Sequence, residues 1–185
     1  SQTDSTVTVT GHAELAVIPD TAYVSVGIVT MGADVVSAKN DNDRIMNNIF
    51  SSVASLGIGK EQVRTAGFSV QPQYKQNLKY DEPTAITGYR VQNTITITVS
   101  DFALISPVID LCAQAGANQI SGLRFAIKDE AKFKDKLLEK AILDGKSRAS
   151  LIANTLGGSL GRPLSMQVGG FSNAVNYDNV RLAKA

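Results

Sequence analysis

The stretch from Thr87 to Val99 constrains the fold more than any other part of the chain, because its side chains alternate between two faces. One face is apolar apart from Asn93, and the other is polar. The apolar face holds Tyr89, Val91, Ile95, Ile97 and Val99, and the polar face holds Arg90, Gln92, Thr94, Thr96 and Thr98. This pattern predicts a long antiparallel strand with one face on a core and the other against water or a polar partner.

Further strands and helices follow from the same periodicities. Alternation predicts strands at 6–10, 21–31, 63–74, 123–127 and 164–168, and three- and four-residue spacing predicts helices at about 33–56, after Asp101, and at 129–156. Pro72 should lie at a sheet edge, and Lys75 to Ala85 should form the loop of a long hairpin. Ser106 is expected to cap the middle helix, with Pro107 at its first position.

This order of elements predicts an α+β fold, a two-layer sandwich of antiparallel sheet with helices packed on one face. With 185 residues and 43% hydrophobic content, the chain is expected to form one domain, 1–185. Within it we expect one lobe at about 6–75 and a second at about 86–169, joined by an extended hairpin at 68–100. Weak similarity between 56–68 and 115–125 fits a duplicated β-α-β unit.

Charge and apolar runs bear on the class of partner. The formal net charge is +1, from 18 Lys and Arg against 17 Asp and Glu, so nucleic acid is not expected as a partner. No apolar run has the length of an integral membrane segment. The polar start, Ser-Gln-Thr-Asp-Ser, fits either a removed signal peptide or a trimmed chain end.

The residues that could carry chemistry are few. His12 is the single histidine and Cys112 the single cysteine, so a metal site or a nucleophilic triad has little to draw on, and Cys112 is expected to be a buried, inert hydrophobe. Asp41-Asn42-Asp43 lies within a helical period and is expected to be a solvated helix face. Gly157 to Gly161 follows a helix instead of preceding one, which indicates a helix end and not a phosphate loop. We therefore predict no catalytic, cofactor or metal site.

An enzymatic interpretation, the weakest, would need Asp20, Asp101 or Asp129 to meet in one cleft. If these carboxylates cap the ends of elements instead, that interpretation fails.

The polar face of the long strand and the hairpin beside it form the candidate interface. The polar face suits solvent exposure or hydrogen bonds to a second subunit, and the hairpin adds aromatic and apolar side chains. The candidate interface residues are Tyr74, Leu78, Tyr80, Arg90, Gln92, Thr94, Thr96 and Thr98. A separate row of small residues, Ala141, Gly145 and Ala149, would let a strand or a helix approach the last helix closely.

The chain resembles the SIMPL-domain family, which includes periplasmic immunogenic proteins of Gram-negative bacteria. The resemblance spans roughly Thr6 to Val168 and is carried by structural motifs: Gly11; Asp20 with Ala22 and Val24; Phe68 to Tyr74; Gly88 to Asn93; Ile120 to Phe125; Lys140 to Asp144 with Lys146 and Ala149; and Gly157 to Gly161. Gly145 stands where the family pattern looks alanine-like. Residues 171–185 lack the final alternating strand associated with the family.

The resemblance implies a non-enzymatic, exported protein of the bacterial envelope or periplasm that acts as a homo-oligomer, with a link to envelope or oxidative stress. The alternative is a monomeric module that binds a ligand or peptide, or a signalling adaptor. The two differ in assembly state and in whether a concave pocket with convergent polar groups exists.

Overall fold

The computed structural model describes residues 5–172, which form two compact units. One unit comprises residues 19–126, and the other comprises residues 5–18 together with 127–172. We describe each unit by itself. The predicted lobe limits of about 6–75 and 86–169 stay a prediction.

Residues 19–126 form a four-stranded antiparallel sheet with two helices, which confirms the α+β class. The elements are β1 (Thr21–Gly32), α1 (Val35–Ala54), β2 (Val63–Tyr74), β3 (Ile86–Val99), α2 (Ile105–Ala115) and β4 (Gln119–Ala126). The strand order is β2-β3-β1-β4, so the long strand β3 and strand β1 are central and β2 and β4 are the edges. This β-α-β-β-α-β succession is that of the ferredoxin-like, split β-α-β folds.

The core lies between the inner face of the sheet and the two helices. Val24, Val26 and Ile28 of β1 are fully buried, as predicted, and so are Ile95 and Ile97 of β3. The helices contribute Ile45, Ile49, Val53, Val108 and Cys112 to the same cluster. Period-2 alternation in the strands thus meets a period-3.6 stripe on the helices, which defines the inner face.

Helix ends explain how the chain enters and leaves each layer. The Asp34 side chain caps α1 by accepting from the Ser37 backbone N–H at 2.9 Å. Gly116 ends α2 in the left-handed region at φ 115°, as its position predicted. The expected Ser106 cap is wrong, because a 3-10 turn at 102–104, capped by Asp101, starts the helix earlier, at Ile105. Pro107 therefore lies in the first turn, where its missing N–H has no helical partner to lose.

Two asparagines interrupt the buried interface of helix and sheet. Asn42 of α1 donates from Nδ2 to the Ile28 carbonyl oxygen at 3.1 Å, and Asn93 of β3 lies opposite Ile28 in the register. Within residues 5–172, the Oδ1 atoms of both asparagines are buried without a hydrogen-bond partner. A buried acceptor without a partner costs on the order of 1–3 kcal/mol.

Replacing Asn93 by valine should therefore stabilise the protein. Asn93→Val removes the unsatisfied carbonyl and supplies a β-branched side chain to a central strand, so we expect the free energy of unfolding to rise by about 1 kcal/mol. Urea unfolding followed by circular dichroism measures this change. Gln92→Val, on the opposite face of the same strand, is the control and should change stability by less than about 0.5 kcal/mol. A loss of stability in Asn93→Val would show that Asn93 has a structural partner.

The second unit contains the long helix α3 (Glu130–Thr155) and an extended segment, residues 5–18, here called the arm. The helix confirms the prediction at 129–156. The predicted strand at 6–10 is wrong, because the arm is extended but pairs with no strand among residues 5–172. The predicted strand at 164–168 is wrong for the same reason. Most of the chain end at 171–185 lies outside the described residues.

The arm contacts α3 through glycine. A Cβ on Gly11 would overlap the Ala141 carbonyl oxygen and lie 2.8 Å from the Gly145 nitrogen, so only glycine permits this approach. The His12 backbone N–H donates to Asp144 Oδ2 at 2.8 Å, and Arg148 Nε donates to the same oxygen at 2.9 Å. These hydrogen bonds, with the one from His12 the stronger cause, hold the pKa of Asp144 below its usual value. The predicted row of small residues does admit a close backbone, which belongs to the extended arm.

Two glycine substitutions should have opposite effects on this contact. Gly11→Ala should release the arm from α3, because its methyl group has no space against the helix backbone. Gly145→Ala places a methyl at 3.5 Å from Gly11 Cα, an ordinary van der Waals contact, and should raise helix stability by up to about 1 kcal/mol.

Amide hydrogen exchange at His12 measures arm release, and thermal unfolding measures helix stability. Fast exchange in Gly11→Ala with slow exchange in Gly145→Ala is the expected pair. Equal protection in both variants would contradict the contact.

Candidate interaction surface

The outer face of the sheet, opposite the helices, carries arginine and no carboxylate. Strands β1 to β4 contain no Asp or Glu, and their three arginines are Arg64, Arg90 and Arg124. The register places them on the outer face, since Arg64 is opposite Thr96, Arg124 is opposite Tyr23, and Tyr23 is opposite Thr98. The face is thus cationic and rich in hydroxyl groups, although the whole chain is nearly neutral.

Short-range contacts hold two of these arginines in place. The Arg124 guanidinium lies over the Tyr23 ring at 4.4 Å from its centroid. Arg90 Nη1 donates to Gln92 Oε1 at 2.9 Å. Donors fixed in this way lose less conformational entropy on binding a partner than free side chains do.

The hairpin of β2 and β3 extends beyond the helices. A 14-residue strand spans ~46 Å and a 20-residue helix spans ~30 Å, so α1 cannot cover the full length of β3. The inner face of the hairpin is therefore uncovered towards its loop. Phe68, which is 51% exposed, and Val70 have a different cause of exposure, because they lie on edge strand β2 while Asn93 and Val91 opposite them on β3 are buried.

An exposed apolar patch results, here called the hairpin patch. Its members are Phe68, Val70, Tyr74, Leu78, Tyr80 and Ile86. Lys75 and Glu82 form an ion pair across the base of the loop, and the Lys75 backbone N–H donates to the Ala85 carbonyl oxygen at 2.9 Å. These bonds order the loop that carries Leu78 and Tyr80.

The predicted interface residues fall into two groups in the structure. Arg90, Gln92, Thr94, Thr96 and Thr98 lie together, partly exposed, on the outer face of β3. Tyr74, Leu78 and Tyr80 belong to the hairpin patch. Their role as an interface stays a prediction. Sequence reasoning missed Phe68, Val70 and Ile86 of the patch, although the edge position that Pro72 predicts for its strand could have found Phe68 and Val70.

The candidate carboxylates lie at the ends of elements or on a helix. Asp101 accepts from the Ala103 N–H at 3.0 Å, Asp20 accepts from the Thr21 hydroxyl at 2.9 Å just before β1, and Asp129 precedes α3. Each carboxylate thus lies at the end of an element. Asp41 and Asp43 form same-helix ion pairs on α1, with Arg44 and Lys39 respectively. Within residues 5–172, no group of three or more His, Cys, Asp or Glu side chains is placed to hold a metal ion.

Cys112 is buried in the core, as predicted. Desolvation raises the pKa of its thiol to about 11. The thiolate is the reactive form, so the native protein holds very little of it near neutral pH.

A thiol reagent should therefore reach Cys112 only after unfolding. We expect Ellman's reagent at about pH 8 to react with the native protein at least about a hundredfold more slowly than with the protein in urea. Asn48→Cys, an exposed position on α1, supplies the matched fast-reacting control. Rapid labelling of native Cys112 would revive the nucleophile interpretation.

Residues 19–126 are thus an α+β unit of the split β-α-β type with a cationic outer sheet face and an apolar hairpin. The chain belongs to the SIMPL family, whose model, described as a protein of unknown function (DUF541), matches residues 7–184. The resemblance stated from the sequence is thereby confirmed.

Relatives of this chain come from several bacteria. The chain is 27% identical over 161 residues to the 26 kDa periplasmic immunogenic protein of Brucella melitensis, covering 84% of this chain and 63% of that protein. It is 25% identical over 179 residues to the uncharacterized protein YggE of Escherichia coli K12, covering 97% of this chain and 71% of YggE. The chain therefore spans less than two thirds of the length of the Brucella protein.

Two structural findings bear on membranes and pockets. Among residues 5–172, no helix combines the length and the apolar character that crossing a bilayer requires. A shallow depression of about 320 Å³ lies along α3, lined by Asp135, Leu138, Glu139, Ile142 and Leu143.

Proposed function

We propose that this chain is a non-enzymatic periplasmic protein of the bacterial envelope that acts as a homo-oligomer. The hairpin patch carries the proposal, because a set of large apolar side chains exposed along one hairpin is typical of a surface that a partner covers. The name of the Brucella relative supports the compartment. A role in envelope or oxidative stress follows from the family resemblance and belongs to the same proposal.

The outer face of the sheet complements the patch. Apolar anchors surrounded by polar groups that can hydrogen-bond are the usual composition of a specific interface. The hairpin patch supplies the anchors, and Arg90, Gln92 and the threonines of β3 supply the polar groups. The depression on α3 is lined by one helix alone and is shallow, unlike the enclosed concave sites that small ligands favour, which disfavours the alternative of a small-ligand module.

The assembly state of the purified protein tests the proposal. Light scattering coupled to sizing chromatography at micromolar concentration should give a mass that is a multiple of 19.6 kDa. A monomer at that concentration would overturn the proposal in favour of the monomeric binding module or adaptor.

Phe68→Ser identifies the surface responsible. Burial of a phenylalanine contributes ~1.5–3 kcal/mol, so its loss should raise the dissociation constant of the assembly by roughly tenfold or more. Val36→Ser, an exposed apolar position on α1, is the matched control and should leave assembly unchanged. Assembly that persists in Phe68→Ser and is lost in Thr96→Glu would assign the interface to the outer face.

A further inference from the structure

Asn93 interrupts the buried apolar side of β3. It is 7% exposed, and its neighbours on that face of the strand, Val91 and Ile95, have no exposure. Its Oδ1 atom is buried without a partner, and within residues 5–172 the Asn93 side chain makes no hydrogen bond. Valine has a similar size and would occupy the same position without an unpaired acceptor. The asparagine therefore opposes folding at a place where its neighbours favour it.

The other asparagine with an unpaired oxygen has a structural role. Asn42 Nδ2 donates to the Ile28 carbonyl oxygen at 3.1 Å and to Thr30 Oγ1 at 3.4 Å, and Thr30 Oγ1 donates to the Ala38 carbonyl oxygen at 2.6 Å. These bonds join α1 to β1. Asn93 makes no comparable bond in the described part of the chain, so a structural role does not account for it.

Asn93 lies where the helix-covered core meets the hairpin patch. Its neighbour on β1 is Ile28, which is fully buried, and its neighbour on β2 is Phe68, which is half exposed. Directly opposed side chains on one face of a sheet have their Cβ atoms ~5 Å apart. A group that packs on Phe68 therefore comes close to the Asn93 amide. The terminal torsion of asparagine is soft, so the amide oxygen can turn towards Phe68 without a backbone movement.

The loop end of the hairpin patch carries a suitable donor. Tyr80 is fully exposed, and its hydroxyl makes no hydrogen bond within residues 5–172. The ion pair of Lys75 and Glu82 orders the loop that carries it. A tyrosine that becomes buried needs a partner for its hydroxyl, and Asn93 Oδ1 is an acceptor without a donor. The two ends of the patch are thus complementary in hydrogen bonding.

The two groups do not meet within one chain. Asn93 is paired with Phe68, and the paired strands continue from there to Tyr74 before the loop begins. The stretch from Phe68 to Tyr74 alone spans ~20 Å, which is much longer than a tyrosine side chain. Tyr80 is also fully exposed, so it does not fold back onto its own hairpin.

A second copy of the chain can bring the two groups together. In an isologous contact each copy presents the same surface, related by a two-fold axis. When that axis crosses two hairpins packed through their patches, the hairpins run antiparallel and the loop of each lies over the base of the other. Tyr80 of each copy then packs on Phe68 of the other as an aromatic pair.

We propose that the Tyr80 hydroxyl of one copy donates to Asn93 Oδ1 of a second copy, in both directions across a two-fold axis. The proposal rests on the homo-oligomer proposed above and identifies the polar contact of its hairpin patch. Apolar side chains accept many partners, whereas a desolvated amide penalises any partner that leaves it unpaired. Asn93 is thus a specificity-determining residue, and its unfavourable effect on folding accompanies that role.

Removing each half of the bond tests it. Tyr80→Phe deletes only the hydroxyl, and Asn93→Val deletes the amide. We expect each to raise the dissociation constant of the assembly by about tenfold, measured by light scattering over a dilution series. The double variant should assemble no more weakly than either single variant, because it leaves neither group unpaired. Tyr74→Phe removes the other hydroxyl of the patch and is the matched control, which should assemble normally.

The stability of Asn93→Val separates this role from a purely structural one. Its free energy of unfolding should rise while its assembly weakens, since the unpaired acceptor is lost from the folded copy and the bond is lost from the assembly. A residue that serves folding alone would leave the dissociation constant of the folded copies unchanged.

A mixture of the two single variants tests whether the bond joins different copies. A mixed pair keeps one complete bond, between Tyr80 of the Asn93→Val copy and Asn93 of the Tyr80→Phe copy. We expect the mixture to assemble several times more tightly than either variant alone. No such recovery, or a loss in Tyr74→Phe equal to that in Tyr80→Phe, would overturn the proposed bond.

The outcomes also separate this proposal from the homo-oligomer. Unchanged assembly in both single variants, or losses that multiply to about a hundredfold in the double variant, overturn the bond and leave the homo-oligomer standing. A monomeric unsubstituted protein overturns both.

Discussion

The burial of the inner faces of β1 and β3 beneath α1 and α2 is the interaction on which the rest of residues 19–126 depends. Val24, Val26, Ile28, Ile95 and Ile97 have no solvent exposure. Because these residues alternate along their strands, they also determine which residues face outwards. A shift of one residue in the strand register would move the apolar side chains outwards and the polar side chains inwards. The same register therefore forms both the core and the cationic outer face.

The same interaction explains where the core stops. Helix rise per residue is less than half of strand rise, so helices of ordinary length leave the ends of a long hairpin uncovered. Tyr74 and Ile86, paired at the loop end of the hairpin, are exposed in this way. Phe68 and Val70 are exposed because β2 is the edge strand, so the hairpin patch results from strand length and from edge position together.

Sequence patterns predicted the helices and strands whose conformation depends mainly on residues close together in the chain. The alternation at 87–99 and the stripe at 33–56 predicted β3 and α1 closely, and Gly116 predicted the end of α2. The pairing of strands, in contrast, depends on residues far apart in the chain. The arm has the alternation expected of a strand, yet whether an extended segment is a strand depends on a neighbour that its own residues do not specify. The Ser106 cap was wrong because Asp101 offered an earlier start through a 3-10 turn.

The candidate surface was predictable only in part, for a similar reason. Arg90 and the threonines of β3 were apparent because they share one strand. Arg64 and Arg124 join them only through the register of β2 and β4, which sequence patterns leave open. The small row on α3 was predicted to admit a close neighbour, and the structure shows that this neighbour is Gly11 of the arm.

The lack of carboxylates in the four strands has a consequence for how the outer face responds to its surroundings. The charges that the strands place on this face are all of one sign, so a partner that presents carboxylates would meet attraction from all three arginines and repulsion from no strand residue. Dissolved salt screens exposed charges of this kind, so contacts made through the outer face would weaken as ionic strength rises.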